Sequence, residues 1–118
     1  VLSWFQAFCF TQGIEIPIYL LAWRVAHRWR PGLVRGVGVA FVASLMTHPF
    51  VWAVFPLVPR AWGCVGSIRC WQESVVLAEI FAVVVEAVWL GRQGVRQAWA
   101  WSLVANGASF GLGALLHW

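Results

Sequence analysis

Four apolar stretches, each about long enough to cross a bilayer, alternate with short basic breaks, and this alternation leaves little choice of fold. They run over residues 4–23, 36–56, 74–90 and 98–118, and none contains Arg or Lys. A helix crossing the roughly 30 Å hydrocarbon core needs about 20 residues. Four crossings therefore use most of the 118 residues and leave short loops. Neither a separate soluble catalytic domain nor a cleaved signal peptide is expected, because apolar stretches recur along the chain and the first residues carry no basic n-region. The stretches are continuous rather than alternating, which excludes a β-barrel. The expected fold is all-α: a single-domain, polytopic membrane four-helix bundle.

Composition points the same way. The chain is 62% hydrophobic and 10% charged, with a mean hydropathy of +0.79, against about 25% charged residues in ordinary soluble domains. A soluble globule of this make-up would expose large apolar areas to water. The second stretch contains Pro49, whose ring frees a backbone carbonyl; Ser44 and Thr47 are placed to satisfy it. The third is rich in Val, a poor helix former in water, but its length in a membrane outweighs propensity.

All eight basic residues are Arg and all lie in the breaks. Arg24, Arg28, Arg30 and Arg35 fall in the first, Arg60 and Arg69 in the second, Arg92 and Arg96 in the third. The first and third lie on one side, so six arginines face two. The positive-inside rule puts that side in the cytoplasm and both termini outside, as expected of a bacterial inner-membrane protein. Trp23, Trp29, Trp89, Trp99 and Trp101 then lie near the inner interface, and Trp4, Trp52, Trp62, Trp71 and Trp118 near the outer, as an aromatic belt. His27 and His117 read as interfacial. The pI of about 9.8 reflects topology determinants that also meet anionic lipid, and no nucleic-acid partner is implied, since no base-reading element accompanies it.

The acids are the informative minority. There are four, Glu15, Glu73, Glu79 and Glu86, and all but Glu73, at a span edge, lie inside apolar stretches. An ionised side chain at the centre of a membrane helix costs about 2.5–3.5 kcal/mol, so these carboxylates need a partner, a proton or a cation. Helical spacing gives each stretch a polar stripe: Gln12, Glu15 and Tyr19 with Thr11; Ser44, Thr47 and His48; Glu79 and Glu86, with Glu73 and Ser74 extending outward; Ser102, Asn106 and Ser109. At about 1.5 Å of rise per residue, the central members fall in one layer some 9–20 Å from the outer interface.

Glu15, His48, Glu79 and Glu86 are the candidate ligands for a metal or other cation, with one divalent ion as the candidate cofactor, and Gln12, Tyr19, Thr47, Asn106 and Ser109 are supporting polar groups. Tyr19 could equally belong to the belt, and the serines and Asn106 could simply glue helices together. Ser44 or Ser109 with His48 and a Glu could be drawn as a triad, but no nucleophile elbow accompanies them. Cys9 reads as a small buried hydrophobe. Cys64 and Cys70, six apart in the second break, could close a disulfide or remain two thiols. Gly107 and Gly111 form a GxxxG packing signal.

The phrases Gln12-Gly13-Ile14-Glu15-Ile16-Pro17-Ile18-Tyr19, Ser44-Leu45-Met46-Thr47-His48-Pro49 and Ser102-Leu103-Val104-Ala105-Asn106-Gly107-Ala108-Ser109 resemble a group of small bacterial four-helix membrane proteins without an established activity. That resemblance implies a fold and a compartment. Length, span count and a Glu midway in the first span also resemble the small multidrug resistance transporters, which centre on that one Glu; the two Glu of the third span depart from their pattern. Cation binding or proton-coupled cation transport is the function expected. An accessory subunit of a larger membrane complex, or a homodimer, and an intramembrane hydrolase are the alternatives.

Overall fold

A computed structural model describes residues 3–28 and 32–116, every described element of which is helical. Trp29, Arg30, Pro31, His117 and Trp118 lie outside the described residues. α1 spans Trp4–Ala26, α2 Leu33–Ala53, α3 Val58–Ala61, α4 Ile68–Arg92 and α5 Ala98–Leu115, with a 3-10 turn at Phe55–Leu57 between α2 and α3. Local signals explain the ends. Ser3 caps α1 through a reciprocal box, accepting from the Gln6 backbone N–H at 3.2 Å while the Gln6 side chain accepts from Ser3 N–H at 2.9 Å. Gly32, in the left-handed region at φ 45°, precedes α2, and Ser67 caps α4 by accepting from Cys70 N–H.

The third apolar stretch begins earlier as a helix than its hydropathy suggests, at Ile68 instead of Ser74, because the Ser67 cap starts the helix in a polar segment. The second ends at Ala53 rather than Pro56, where Pro56 and Pro59 tighten the chain into the 3-10 turn and α3. Ser44 and Thr47 do not serve the carbonyl freed by Pro49: their hydroxyls go to carboxylates on α1 and α4.

The four long helices close a ring in which α1 touches α2 and α5, and α4 touches the same two. The molecule measures 52 × 24 × 19 Å. α3 packs on α4 at one end, where Cys64 and Cys70 are joined by a disulfide with Cα atoms 6.2 Å apart. The opposite end carries Arg24, Arg28, Arg35, Arg92 and Arg96, all exposed. Here the His27 imidazole hydrogen-bonds the Gln93 carbonyl at 3.1 Å, tying the first break to the third.

Inside, small residues let the helices approach: Ala7, Ala22, Ala40, Ala43, Ala78, Ala82, Ala87 and Ala105 are all buried. Trp23 lies against the bare Cα of Gly36, where a Cβ would come within 2.7 Å of its ring. The large apolar side chains point the other way, with Val34 88%, Ile68 76% and Leu115 74% exposed. Cys9 shares that outward face; it follows the inward-facing Ala7 and Phe8 by too little rotation to reach the interior again before Thr11. α2 and α4 are each long and apolar enough to cross a membrane by length and composition. α1 is longer than α2, but Gln12, Glu15 and Tyr19 dilute its hydropathy.

Candidate functional site

The polar stripes of the four long helices meet on the inside of the ring. Glu15, from α1, accepts from the Ser44 hydroxyl of α2 at one oxygen and from Ser109 of α5 at the other, at 2.9 Å. Glu86, from α4, accepts from Tyr19 of α1 at 2.7 Å and from Thr47 of α2 at 3.0 Å, again one donor per oxygen. Asn106 of α5 donates to Tyr19 Oη at 3.3 Å and to the Ser102 carbonyl at 2.9 Å. Ser102 donates to the Val83 carbonyl of α4 at 2.8 Å. The two carboxylates are each only 1% exposed and lie close enough to act on one another's charge. One hydrogen-bonded network thus joins all four helices.

Its two carboxylates accept from hydroxyls. Every described Arg is exposed, and the ion pair of Arg69 with Glu73 at 3.1 Å lies on the surface. Glu73 is therefore no part of the inward stripe. Ser74 is buried but spends its hydroxyl on the Trp71 carbonyl one turn back, at 2.7 Å.

Beside the network lies a cavity of about 50 Å³ whose walls include Thr11, Glu15, His48, Glu79, Glu86 and Ser109. Since one water needs about 10–15 Å³ by the same measure, the space suits a few waters or one incompletely hydrated cation. It occupies the half of the ring away from the arginines. The arginine half is filled by Tyr19, Ala22, Trp23, Val39, Ala40, Ala43, Leu90, Val95 and Ala98.

Of the four candidate ligands, Glu15 and Glu86 are adjacent, and Glu79 and His48 reach the cavity wall. Among the described residues no three His, Cys, Asp or Glu side chains form a group that could hold a metal ion. Glu15 and Glu86 turn to hydroxyl donors, while His48 packs edge-on against Phe8, ring centroids 5.2 Å apart. The Ser44 and Ser109 hydroxyls both donate to Glu15.

Among the supporting groups Thr47, Asn106 and Ser109 join the network. Tyr19 is an interior residue, 1% exposed, and not a member of a belt. Gln12 is buried, and neither its amide nitrogen nor its amide oxygen has a hydrogen-bond partner among the described residues. The belt reading also changes at Trp23, which is buried and packed on the His27 ring at 4.1 Å, and at Trp89, whose N–H donates to the Val39 carbonyl at 3.0 Å. Trp62, Trp71 and Trp99 are exposed as a belt requires. Ser44 and Ser102, which the spacing treated as packing residues, are fully buried members of the network; their i, i+3 and i, i+4 spacing to Thr47 and Asn106 was the available signal. Compared with protein-family models, with curated proteins and with solved structures, the chain finds no match.

Proposed function

We propose that this chain is an integral membrane protein, crossing the bilayer with α1, α2, α4 and α5, that exchanges a proton for a cation at the Glu15–Glu86 pair. The membrane part of the reading is supported by the inverted distribution of side chains. Four of the six largest fully buried residues, Glu15, Glu86, Ser44 and Ser102, are polar, while Leu, Val, Ile and Phe cover the outside. In water that arrangement forfeits the hydrophobic driving force; in lipid it satisfies every helix.

The observation that carries the functional part is two adjacent buried carboxylates that accept from hydroxyls, with every described Arg exposed on the surface. A carboxylate in a low-dielectric interior is tolerated only when its charge is answered. Hydroxyls supply hydrogen bonds but no charge. On this reading the answer is mobile: a proton on the carboxyl, or a cation in the adjoining cavity when the carboxyl is ionised, with the His48 imidazole on the cavity wall. Glu79 and His48, at the cavity wall, stand where an ion would pass on its way to the pair. One proton leaving for each positive charge that arrives keeps the interior near neutrality in both states.

The test is flux. Purified protein is placed in vesicles loaded with a pH-sensitive dye, and sodium, potassium or manganese(II) gradients are imposed in turn. Cation entry should drive proton exit through the wild type, and Glu15→Gln or Glu86→Gln should abolish it while the protein still inserts and folds. Absence of cation-driven proton flux with all three ions, or wild-type flux in both variants, overturns the reading.

A further inference from the structure

The arginine-rich end carries positive charge that the chain itself leaves unanswered. The whole sequence has four acids. Glu73 is paired with Arg69 at the opposite end, Glu15 and Glu86 are buried in the network, and Glu79 lines the cavity in the far half. No carboxylate side chain stands beside Arg24, Arg28, Arg35, Arg92 or Arg96. Arg35 rests over the Trp23 ring, 5.9 Å from its centroid.

Arg24, in the last turn of α1, and Arg28, two residues past its end, share a groove of about 700 Å³ with Leu20, Leu21, Trp23 and Leu33. The volume is within the roughly 300–1,000 Å³ of small-molecule sites. Its lining combines two guanidiniums with leucines, and Leu21 and Leu33 are 54% and 69% exposed. The α1 terminus presents carbonyl oxygens here and α2 begins at Leu33, so an anion would be held by the two guanidiniums and not by the α1 dipole. Both cations are Arg, whose planar fork pairs two N–H groups with one phosphate.

We infer that this groove seats one anionic phospholipid, its phosphate between Arg24 and Arg28 and an acyl chain along Leu20, Leu21 and Leu33. Charge complementarity selects the anionic headgroup, and the leucines select a lipid over a free anion. The inference rests on the membrane reading above and on no part of the ion-exchange reading.

Native mass spectrometry of the full chain, extracted from vesicles of phosphatidylcholine and phosphatidylglycerol, reads the lipid retained. Phosphatidylglycerol should be kept over phosphatidylcholine. R24Q/R28Q should lower its retention on the order of ten- to thirtyfold, at about a factor of five per interfacial Arg. R92Q/R96Q, on the same end but off the groove, should retain it. Circular dichroism confirms that both variants keep their helical content. Undiminished retention in R24Q/R28Q, or an equal loss in R92Q/R96Q, overturns the inference. So does displacement of the lipid by millimolar inorganic phosphate with no effect of Leu20→Ala or Leu33→Ala, which would make this a free-anion site. The two readings fail separately. A chain washed off membranes by alkaline carbonate refutes the membrane reading, whereas a chain that stays embedded without lipid preference refutes only the groove.

Discussion

Tyr19, Ser109 and Gln12 face one polar interior, yet their removal should have three different outcomes, because their partners differ. The Tyr19 hydroxyl gives its proton to Glu86 at 2.7 Å and takes one from Asn106 at 3.3 Å. Tyr19→Phe leaves a buried carboxyl oxygen and a buried amide each short of a partner, a loss of about 1–3 kcal/mol. Ser109→Ala takes the donor from one Glu15 oxygen, leaves Ser44 on the other and orphans no amide, so its loss should fall at the low end of that range, about 1 kcal/mol. Gln12 has no partner to lose among the described residues, so Gln12→Leu should be neutral or stabilising by about 1 kcal/mol. Unfolding titrations in mixed detergent micelles rank the three. A Gln12→Leu loss as large as that of Tyr19→Phe would show that the amide is engaged by something outside the chain. These contrasts also show where sequence reasoning stopped. Spacing places Gln12, Glu15 and Tyr19 on one side of a helix, but a 3.6-residue period carries no information on which oxygen of a neighbouring helix each will meet. The pairing of Tyr19 with Glu86 spans 67 positions.

At the scale of the helices, legibility follows apolar length. α2 and α5 were visible as long uncharged runs, whereas the first turns of α4, Ile68-Arg69-Cys70-Trp71-Gln72-Glu73, read as loop because a polar helix start and an interfacial loop have the same composition. The contact of α1 with α2 was invisible, since nothing in the sequence ties Trp23 to Gly36. Yet it sets how closely those helices approach. Gly36→Ala puts a methyl carbon 2.7 Å from the Trp23 ring, and that ring is confined by His27 on one side and Arg35 on another. Overpacking of this kind costs about 1–3 kcal/mol. The variant should unfold earlier and show a shifted Trp emission maximum; unchanged stability would mean that the indole moves aside freely. α3 and the start of α4 depend on a different constraint. By loop-closure entropy, a disulfide across six positions contributes about 2 kcal/mol. Reduction, or Cys64→Ser with Cys70→Ser, should raise hydrogen exchange over residues 58–70 and leave α1, α2 and α5 protected. Loss of protection throughout would show that this end carries the whole fold.

For the molecule as a whole, the two halves of the ring differ in kind, and that difference bears on how an ion would reach the carboxylates. The half bearing α3 and the disulfide contains the cavity, whereas the arginine half is filled by Trp23, Leu90, Val95 and alanines, with the His27–Gln93 bond closing it. A through-pore is therefore absent among the described residues, and the site is a dead end. On the membrane reading, six arginines hold the filled half in the cytoplasm, which leaves the cavity to load from outside. Single cysteines test this in a Cys9→Ala background with the Cys64–Cys70 bridge intact. Val51→Cys, at the cavity wall, should react with a membrane-impermeant maleimide added outside right-side-out vesicles and resist the same reagent on inverted ones. Ala40→Cys, in the filled half and 0% exposed, should resist from both sides. Reaction of Val51→Cys from the inverted side alone would reverse the orientation. Equal reaction from both sides would mean that the filled half opens as readily as the other, and then no fixed barrier would separate the carboxylate pair from the cytoplasm: any proton or cation released there would equilibrate with both faces at once, and coupling of the two would be lost.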